Sequence, residues 1–112
     1  MLFKYNCDMT TPDTFYRITG RPHQEGEIMP PRITWSTNHF KGQEGYFVTN
    51  KSSIKSWLET LSKTNHIYIV KPLSTPVACH LNSDLKQWFV SGSIEIIKEV
   101  NIEEFINNDS YY

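Results

Sequence analysis

The residues that most often mark a catalytic or metal site follow none of the standard spacings in this chain. There is no phosphate-cradling glycine loop, no His-Glu-x-x-His and no nucleophile elbow. Cys7 and Cys79 form no Cys-x-x-Cys pair, and we expect both to be reduced thiols. The four histidines lie far apart and share no ligand spacing: His23, His39, His66 and His80. We therefore expect no metal site.

What remains is a succession of short motifs. In chain order they are Tyr16-Arg17-Ile18-Thr19-Gly20, Trp35-Ser36-Thr37, Gly45-Tyr46-Phe47-Val48-Thr49 ahead of an amphipathic helix, and Ile67-Tyr68-Ile69-Val70-Lys71-Pro72. In this order and spacing the sequence resembles the small ADP-ribosyltransferase fold, most closely the rifamycin-modifying ADP-ribosyltransferases. The likeness covers roughly residues 14–100 and depends on the succession of the motifs. It implies NAD as the co-substrate.

Tyr16 and Arg17 look like the Tyr-Arg strand of the family's Arg-Ser-Glu type, which implies that they hold NAD. A guanidinium suits that role because its fork can meet pyrophosphate or ribose oxygens with two parallel hydrogen bonds. The alternative is that Arg17 faces solvent on an ordinary strand. Ser36 and Thr37 resemble the start of the family's Ser-Thr-Ser motif, which braces the nicotinamide ribose, but Asn38 replaces the third residue. The alternative for these two is local hydrogen bonding before a turn.

Tyr46, followed by Phe47 and a helix, resembles the family's tyrosine strand, in which an aromatic ring stacks on nicotinamide. A ring over a cationic pyridinium gains on the order of 0.5–2 kcal/mol. The alternative is that Tyr46 and Phe47 alternate between the core and the surface of a strand.

The family also supplies a late carboxylate, which stabilises the positive charge that develops on the ribose when the glycosidic bond breaks. In this sequence the stretch after the Ile67–Pro72 motif has no carboxylate before Asp84, and there is no Glu-x-Glu pair. Asp84 and Glu95 are the candidates, with Glu99 beside the same late strand. The alternative is that these acids are solvated partners of nearby lysines.

The elements that must position these residues can be predicted from periodicity. Ile54, Trp57, Leu58 and Leu61 have helical spacing, with Asn50, Ser52 or Ser53 as the N-cap. We predict strands at residues 14–19, 46–49, 66–70, 77–81 and 93–100, and a short strand at 32–37. Residues 21–31, with three prolines, predict an exposed loop. Asn101 and Glu104 predict a capping box for a short final helix.

The chain has 112 residues, 38% of them hydrophobic, which predicts one domain over residues 1–112. The elements favour an α+β class with a mixed or antiparallel sheet and one or two packed helices. The resemblance implies a split β-sandwich with its core at about residues 14–107. No stretch of eighteen apolar residues and no signal-peptide run occurs, so we expect a cytoplasmic protein without a membrane segment.

Two functions remain open. The first is an NAD-dependent mono-ADP-ribosyltransferase acting on an unknown acceptor, which could be a small molecule, a protein side chain or a nucleic acid. The second is a non-catalytic module or inhibitor on the same fold, which grips a partner protein or a nucleotide. Exposed aromatic residues would favour the second. A related RNA 2′-phosphotransferase is disfavoured by the net charge of −1.

Overall fold

The computed structural model describes residues 11–33, 43–57, 65–80 and 86–107. In chain order the elements are β1 (Phe15–Thr19), β2 (Ile28–Met29), β3 (Tyr46–Thr49), α1 (Lys51–Trp57), β4 (His66–Pro72), β5 (Val77–His80), β6 (Lys86–Val90), β7 (Ile94–Glu99) and α2 (Ile102–Asn107). The predicted α+β class is confirmed: within the described ranges, one domain holds a seven-stranded antiparallel sheet and two short helices. Within the described ranges, no helix has the length and apolar character needed to span a bilayer.

The strand order β2-β7-β4-β1-β3-β6-β5 places β1 at the centre of the sheet. β1 pairs with β4 along its whole length, from Phe15↔Val70 to Thr19↔His66. β3 pairs with β6 from Tyr46↔Val90 to Thr49↔Gln87. Between β1 and β3, in contrast, the pairing is limited to Tyr16↔Thr49. We call this weakly paired junction of β1 and β3 the seam.

The two faces of the sheet carry separate cores, because opposite residues of antiparallel strands project to the same side. The helix face is the face on which Tyr16 and Ile67 pack against Ile54 of α1 and Phe105 of α2. The loop face is the opposite one, whose buried residues include Phe15, Tyr46, Val48, Tyr68, Val70, Trp88, Val90, Ile94 and Ile96. Met29 packs into this second core, so the segment that contains β2 helps to cover the loop face.

Both helices begin where the sequence predicts. The Asn50 side-chain oxygen accepts a hydrogen bond from the Ser53 backbone amide at 2.9 Å. The Asn101 side chain accepts one from the Glu104 amide at 3.1 Å. Each bond satisfies an amide that has no partner within the first turn of its helix. Leu58 and Leu61, the later positions of the predicted stripe, lie outside the described residues.

The structure differs from the prediction at two strands. Residues 21–31 are not an exposed loop throughout, because Ile28 and Met29 form the edge strand β2, which pairs with β7, and Met29 is buried. β6 was not predicted at all; its three consecutive apolar residues, Trp88 to Val90, show no alternation that periodicity could detect. Most of the predicted strand at 32–37 lies outside the described residues.

Gly45 provides a test of the packing at the start of β3. Its φ is +152°, and a Cβ there would lie 2.2 Å from the Val90 carbonyl oxygen and 2.7 Å from the Phe89 ring. We expect Gly45→Ala to lower the free energy of unfolding by more than about 2 kcal/mol, because backbone strain and overpacking add. Urea unfolding measures the change.

Gly20→Ala is the matched control, since a Cβ at Gly20 meets no atom within 4 Å and its φ lies outside the left-handed region. It should change the free energy of unfolding by less than about 1 kcal/mol. Equal losses in the two variants would contradict the close approach of Gly45 to β6.

Candidate functional site

Arg17 lies at the seam, next to the one residue pair between β1 and β3. Continuing the register from Tyr16↔Thr49 would place Ile18 opposite Phe47, but the two strands do not pair there. Instead, the Arg17 Nη1 donates a hydrogen bond of 3.0 Å to the Phe47 carbonyl oxygen. A side-chain donor of β1 therefore bonds to a carbonyl oxygen of β3 where the backbones of the two strands do not pair.

The guanidinium is charged and poorly solvated. Burial lowers the pKa of Arg17 to about 10; the neighbouring Tyr46 raises it and the charge of Arg32 lowers it. Its carbon atom lies 4.9 Å from the centroid of the Tyr46 ring, a cation–π distance. Among the described residues Arg17 has no carboxylate partner, and its Nε is buried without a hydrogen-bond acceptor. Buried donors without an acceptor are rare, so this one marks a place where a ligand atom could bind.

A cavity of about 130 Å³ lies at the seam, lined by Tyr16, Arg17, Ile18, Phe47, Val48, Thr49 and Gln87. Most of these residues project to the helix face by register, so the cavity is on that side of Arg17. Its volume is below the roughly 300–1,000 Å³ of most small-molecule sites. It can accept one ring or a similar group, but not a whole dinucleotide.

Tyr46 does not line this cavity. Its side chain is only 1% exposed and belongs to the core of the loop face, and its hydroxyl donates a hydrogen bond to the Pro30 carbonyl oxygen. Burial raises the pKa of this hydroxyl, although the charges of Arg32 and Arg17 lower it and Glu27 raises it. The Arg17 guanidinium lies over the ring, so a ligand in the cavity could not stack on Tyr46. Its geometry suits a positioning role toward Arg17.

Two aromatic residues, Tyr16 and Phe47, line the cavity, and the sequence analysis treated Phe47 only as a neighbour of Tyr46. Phe47 projects to the helix face and packs against Phe89 with ring centroids 5.2 Å apart. Gln87 was also missed, because β6 was not predicted. Side chains alternate between the two faces along a strand, so Tyr46 and Phe47 must face opposite sides of the sheet. This alternation could have shown that Phe47 faces the cavity if Tyr46 does not.

Of the two predicted carboxylates, Glu95 lies within the described residues, and it is not brought to the seam. Glu95 lies on β7, opposite Lys71, and projects to the helix face. β4 separates its strand from β1, which is about 10 Å across the sheet, and its position lies three residues further along the strands than Arg17. The structure therefore does not bring Glu95 together with Arg17. Asp84, Ser36 and Thr37 lie outside the described residues.

The acid that approaches Tyr46 is Glu27, on the loop face, which the sequence analysis did not single out. Its carboxylate accepts from the Gln24 amide and pairs with His23 Nδ1 at 2.9 Å. These two contacts, the Gln24 amide first, hold the pKa of Glu27 below its usual value. The His23 amide in turn donates to the Tyr68 hydroxyl at 2.7 Å. Glu27 is thus fixed in the segment that covers the loop face, on the other side of Arg17 from the cavity.

A second cavity lies on the other side of Tyr16. It is open, has a volume of about 420 Å³ and is lined by Pro12, Thr14, Tyr16, Asn50, Lys51, Ser52 and Lys55. Because Tyr16 lines both cavities, they are neighbours along β1. We call them the seam cavity and the lysine cavity.

Within the part of the chain that the structure describes, no three His, Cys, Asp or Glu side chains are arranged to hold a metal ion. No protein-family model, curated protein or solved structure matches this chain.

Replacing Arg17 tests whether the guanidinium supports the fold or only occupies the seam. We expect Arg17→Met to change the free energy of unfolding by less than about 1 kcal/mol, because relief of the desolvated charge offsets the lost bond to Phe47. Urea unfolding at pH 7 gives the value, and Arg21→Met, at an exposed position after β1, is the control. A loss of several kcal/mol in Arg17→Met alone would show that the guanidinium is a structural element.

Proposed function

We propose that this chain is an ADP-ribosyltransferase-like domain that binds NAD at the seam. The observation that carries the proposal is Arg17, which is among the residues that line the seam cavity and whose Nε is buried without an acceptor. Phosphate or ribose oxygens would supply the acceptor and the negative charge that the described surroundings of Arg17 lack. The succession of motifs in the sequence supports the same assignment.

The shape of the site supports nicotinamide as the group held in the seam cavity. Its volume of about 130 Å³ suits a single ring. The Phe47 ring offers an aromatic surface to a cationic pyridinium, a contact on the order of 0.5–2 kcal/mol. Tyr46 packs against the Arg17 guanidinium from the loop face, so in this arrangement it would not contact the nicotinamide ring. Arg17 would then bind the ribose or the phosphate nearest to it.

In the proposed transfer, the bond between the nicotinamide nitrogen and the ribose breaks and its electron pair leaves with nicotinamide. The acceptor nucleophile forms the new bond to the ribose carbon and gives up its proton. The acceptor remains open between a small molecule, a protein side chain and a nucleic acid. The chain contributes binding and orientation through Arg17, Phe47 and the walls of the cavity.

A second function, a non-catalytic NAD-binding or partner-binding module, is favoured by one observation. No carboxylate is among the described residues that line the seam cavity, and Glu95 lies two strands from β1. A developing ribosyl cation would therefore have no negative charge beside it from the described part of the chain. Such a domain would bind the dinucleotide without releasing nicotinamide.

Calorimetric titration with NAD at low salt tests the proposal. We expect saturable binding that Arg17→Met weakens by at least about tenfold, as expected for the loss of a charge-assisted contact of about 1.5–3 kcal/mol. Arg21→Met should bind within about twofold of the original chain, because Arg21 lines neither cavity. An unchanged affinity in Arg17→Met would remove Arg17 from the site.

Nicotinamide release, followed by chromatography of the same samples, separates the two functions. If the original chain releases nicotinamide and Arg17→Met releases it more slowly, the transferase is supported. Binding without release over hours supports the non-catalytic module. No NAD binding by the original chain would overturn the NAD assignment.

A further inference from the structure

We propose that Arg32 is a second cationic contact for the anionic group that Arg17 binds, and that the two arginines together bind the diphosphate of the dinucleotide. This inference rests on the proposed function, because it assigns one part of NAD to a residue that does not line the seam cavity. At about 130 Å³ the seam cavity holds one ring, so the diphosphate has to lie outside it. A contact for the diphosphate is therefore needed beyond the cavity wall.

Arg32 and Arg17 are bonded to the same end of β3. The Gly45 amide donates a hydrogen bond of 2.9 Å to the Arg32 carbonyl oxygen, and the Arg17 Nη1 donates one of 3.0 Å to the Phe47 carbonyl oxygen. Gly45 and Phe47 are two residues apart, which corresponds to about 7 Å along a strand. The backbone of Arg32 is thus fixed beside the seam, close to the point where the Arg17 guanidinium is held.

The two positive charges act on one side chain between them. The Tyr46 hydroxyl donates a hydrogen bond to the carbonyl oxygen of Pro30, two residues before Arg32. Burial raises the pKa of Tyr46, and the charges of Arg32 and Arg17 lower it, that of Arg32 more strongly. Burial also lowers the pKa of Arg17, Tyr46 raises it, and the charge of Arg32 lowers it. The two guanidinium groups therefore repel each other near Tyr46, and an anion that contacts both would relieve the repulsion.

The described part of the chain provides no carboxylate that pairs with either arginine. Glu27, the acid whose charge reaches this region, has both oxygens bonded within its own segment. The Arg17 Nε is buried without an acceptor, whereas the Arg32 side chain is exposed. A ligand can thus reach Arg32 from solvent, and its oxygens would supply the acceptor that the buried donor lacks.

A diphosphate is the group that matches two guanidinium ions. Each of its phosphoryl groups carries negative charge and acceptor oxygens, and a guanidinium binds phosphate oxygens through two parallel hydrogen bonds. Arg17 is fixed by its bond to Phe47, whereas the exposed Arg32 side chain can turn toward the ligand. We therefore expect Arg17 to set the position of the diphosphate and Arg32 to add affinity.

Calorimetric titrations of the full chain with NAD and with inorganic pyrophosphate, at low and moderate salt, test the inference. We expect Arg32→Gln to weaken both by about fivefold or more at low salt, and by less at moderate salt, because exposed charges are screened. The melting temperature should not fall, since the variant keeps the backbone carbonyl that accepts from Gly45. Arg21→Gln removes the same charge from an exposed position that lines neither cavity. This control should leave both affinities within about twofold of the original chain.

The outcomes for Arg32 and for the NAD site are separable. If Arg17→Met weakens NAD binding and Arg32→Gln does not, NAD binds at the seam but the inference is wrong. Unchanged pyrophosphate binding in Arg32→Gln would also overturn it, because an effect on NAD would then not act through the diphosphate. If pyrophosphate binding depends on Arg32 and NAD does not bind, the two arginines remain a diphosphate site and the NAD assignment is wrong. The absence of binding of either ligand at millimolar concentration would overturn both.

Discussion

The candidate site depends on the bond from Arg17 to the Phe47 carbonyl oxygen, which joins β1 to β3 beyond their one residue pair. β1 and β4 form one continuous ladder and β3 and β6 form another, yet the two ladders meet through one residue pair, Tyr16↔Thr49. Beyond that pair a charged side chain stands where a backbone amide would be. The sheet is therefore continuous in order but interrupted in hydrogen bonding at its centre. The seam cavity lies at this interruption, lined by residues of β1, β3 and β6.

The interruption is stabilised from both sides of the sheet. On the loop face, Tyr46 lies under the guanidinium and is itself tied to Pro30. On the helix face, the Thr49 hydroxyl donates to the Lys86 carbonyl oxygen, and the Lys86 amide donates to the Ser53 hydroxyl at 3.1 Å. These bonds fix the start of β6 against the end of β3 and the first turn of α1. The walls of the gap are thus held by short-range contacts, while the charge between them is desolvated and lacks a described carboxylate partner. The small effect on folding that we expect from Arg17→Met favours a role of this residue in binding.

Features that depend on local sequence could be predicted, whereas those that depend on which strands become neighbours could not. The caps at Asn50 and Asn101 and the strands around Tyr16, Tyr46 and Tyr68 follow from residue type and spacing. β2 could not be predicted, because two residues beside prolines become a strand only through the neighbouring β7. The seam depends on register, which one sequence does not specify. For the same reason the sequence places Glu95 on a late strand but does not predict its distance from Arg17. That distance is set by the order of β7, β4 and β1 in the sheet.

Ligand binding and catalysis at the seam would require different groups. Binding of an anion needs a cationic donor at the cavity, and Arg17 is among the residues that line it. Stabilising a ribosyl cation needs a carboxylate within a few ångströms of the ribose, because the effect of a single charge falls with distance and with solvent screening. Glu27 is close to Tyr46, but it lies across Arg17 from the cavity, with its oxygens already bonded to Gln24 and His23. The guanidinium would screen its charge from a ligand on the helix face. The described part of the chain thus offers a buried cationic side chain but no carboxylate at the seam cavity, and the proposed transfer would require a carboxylate from another part of the sequence.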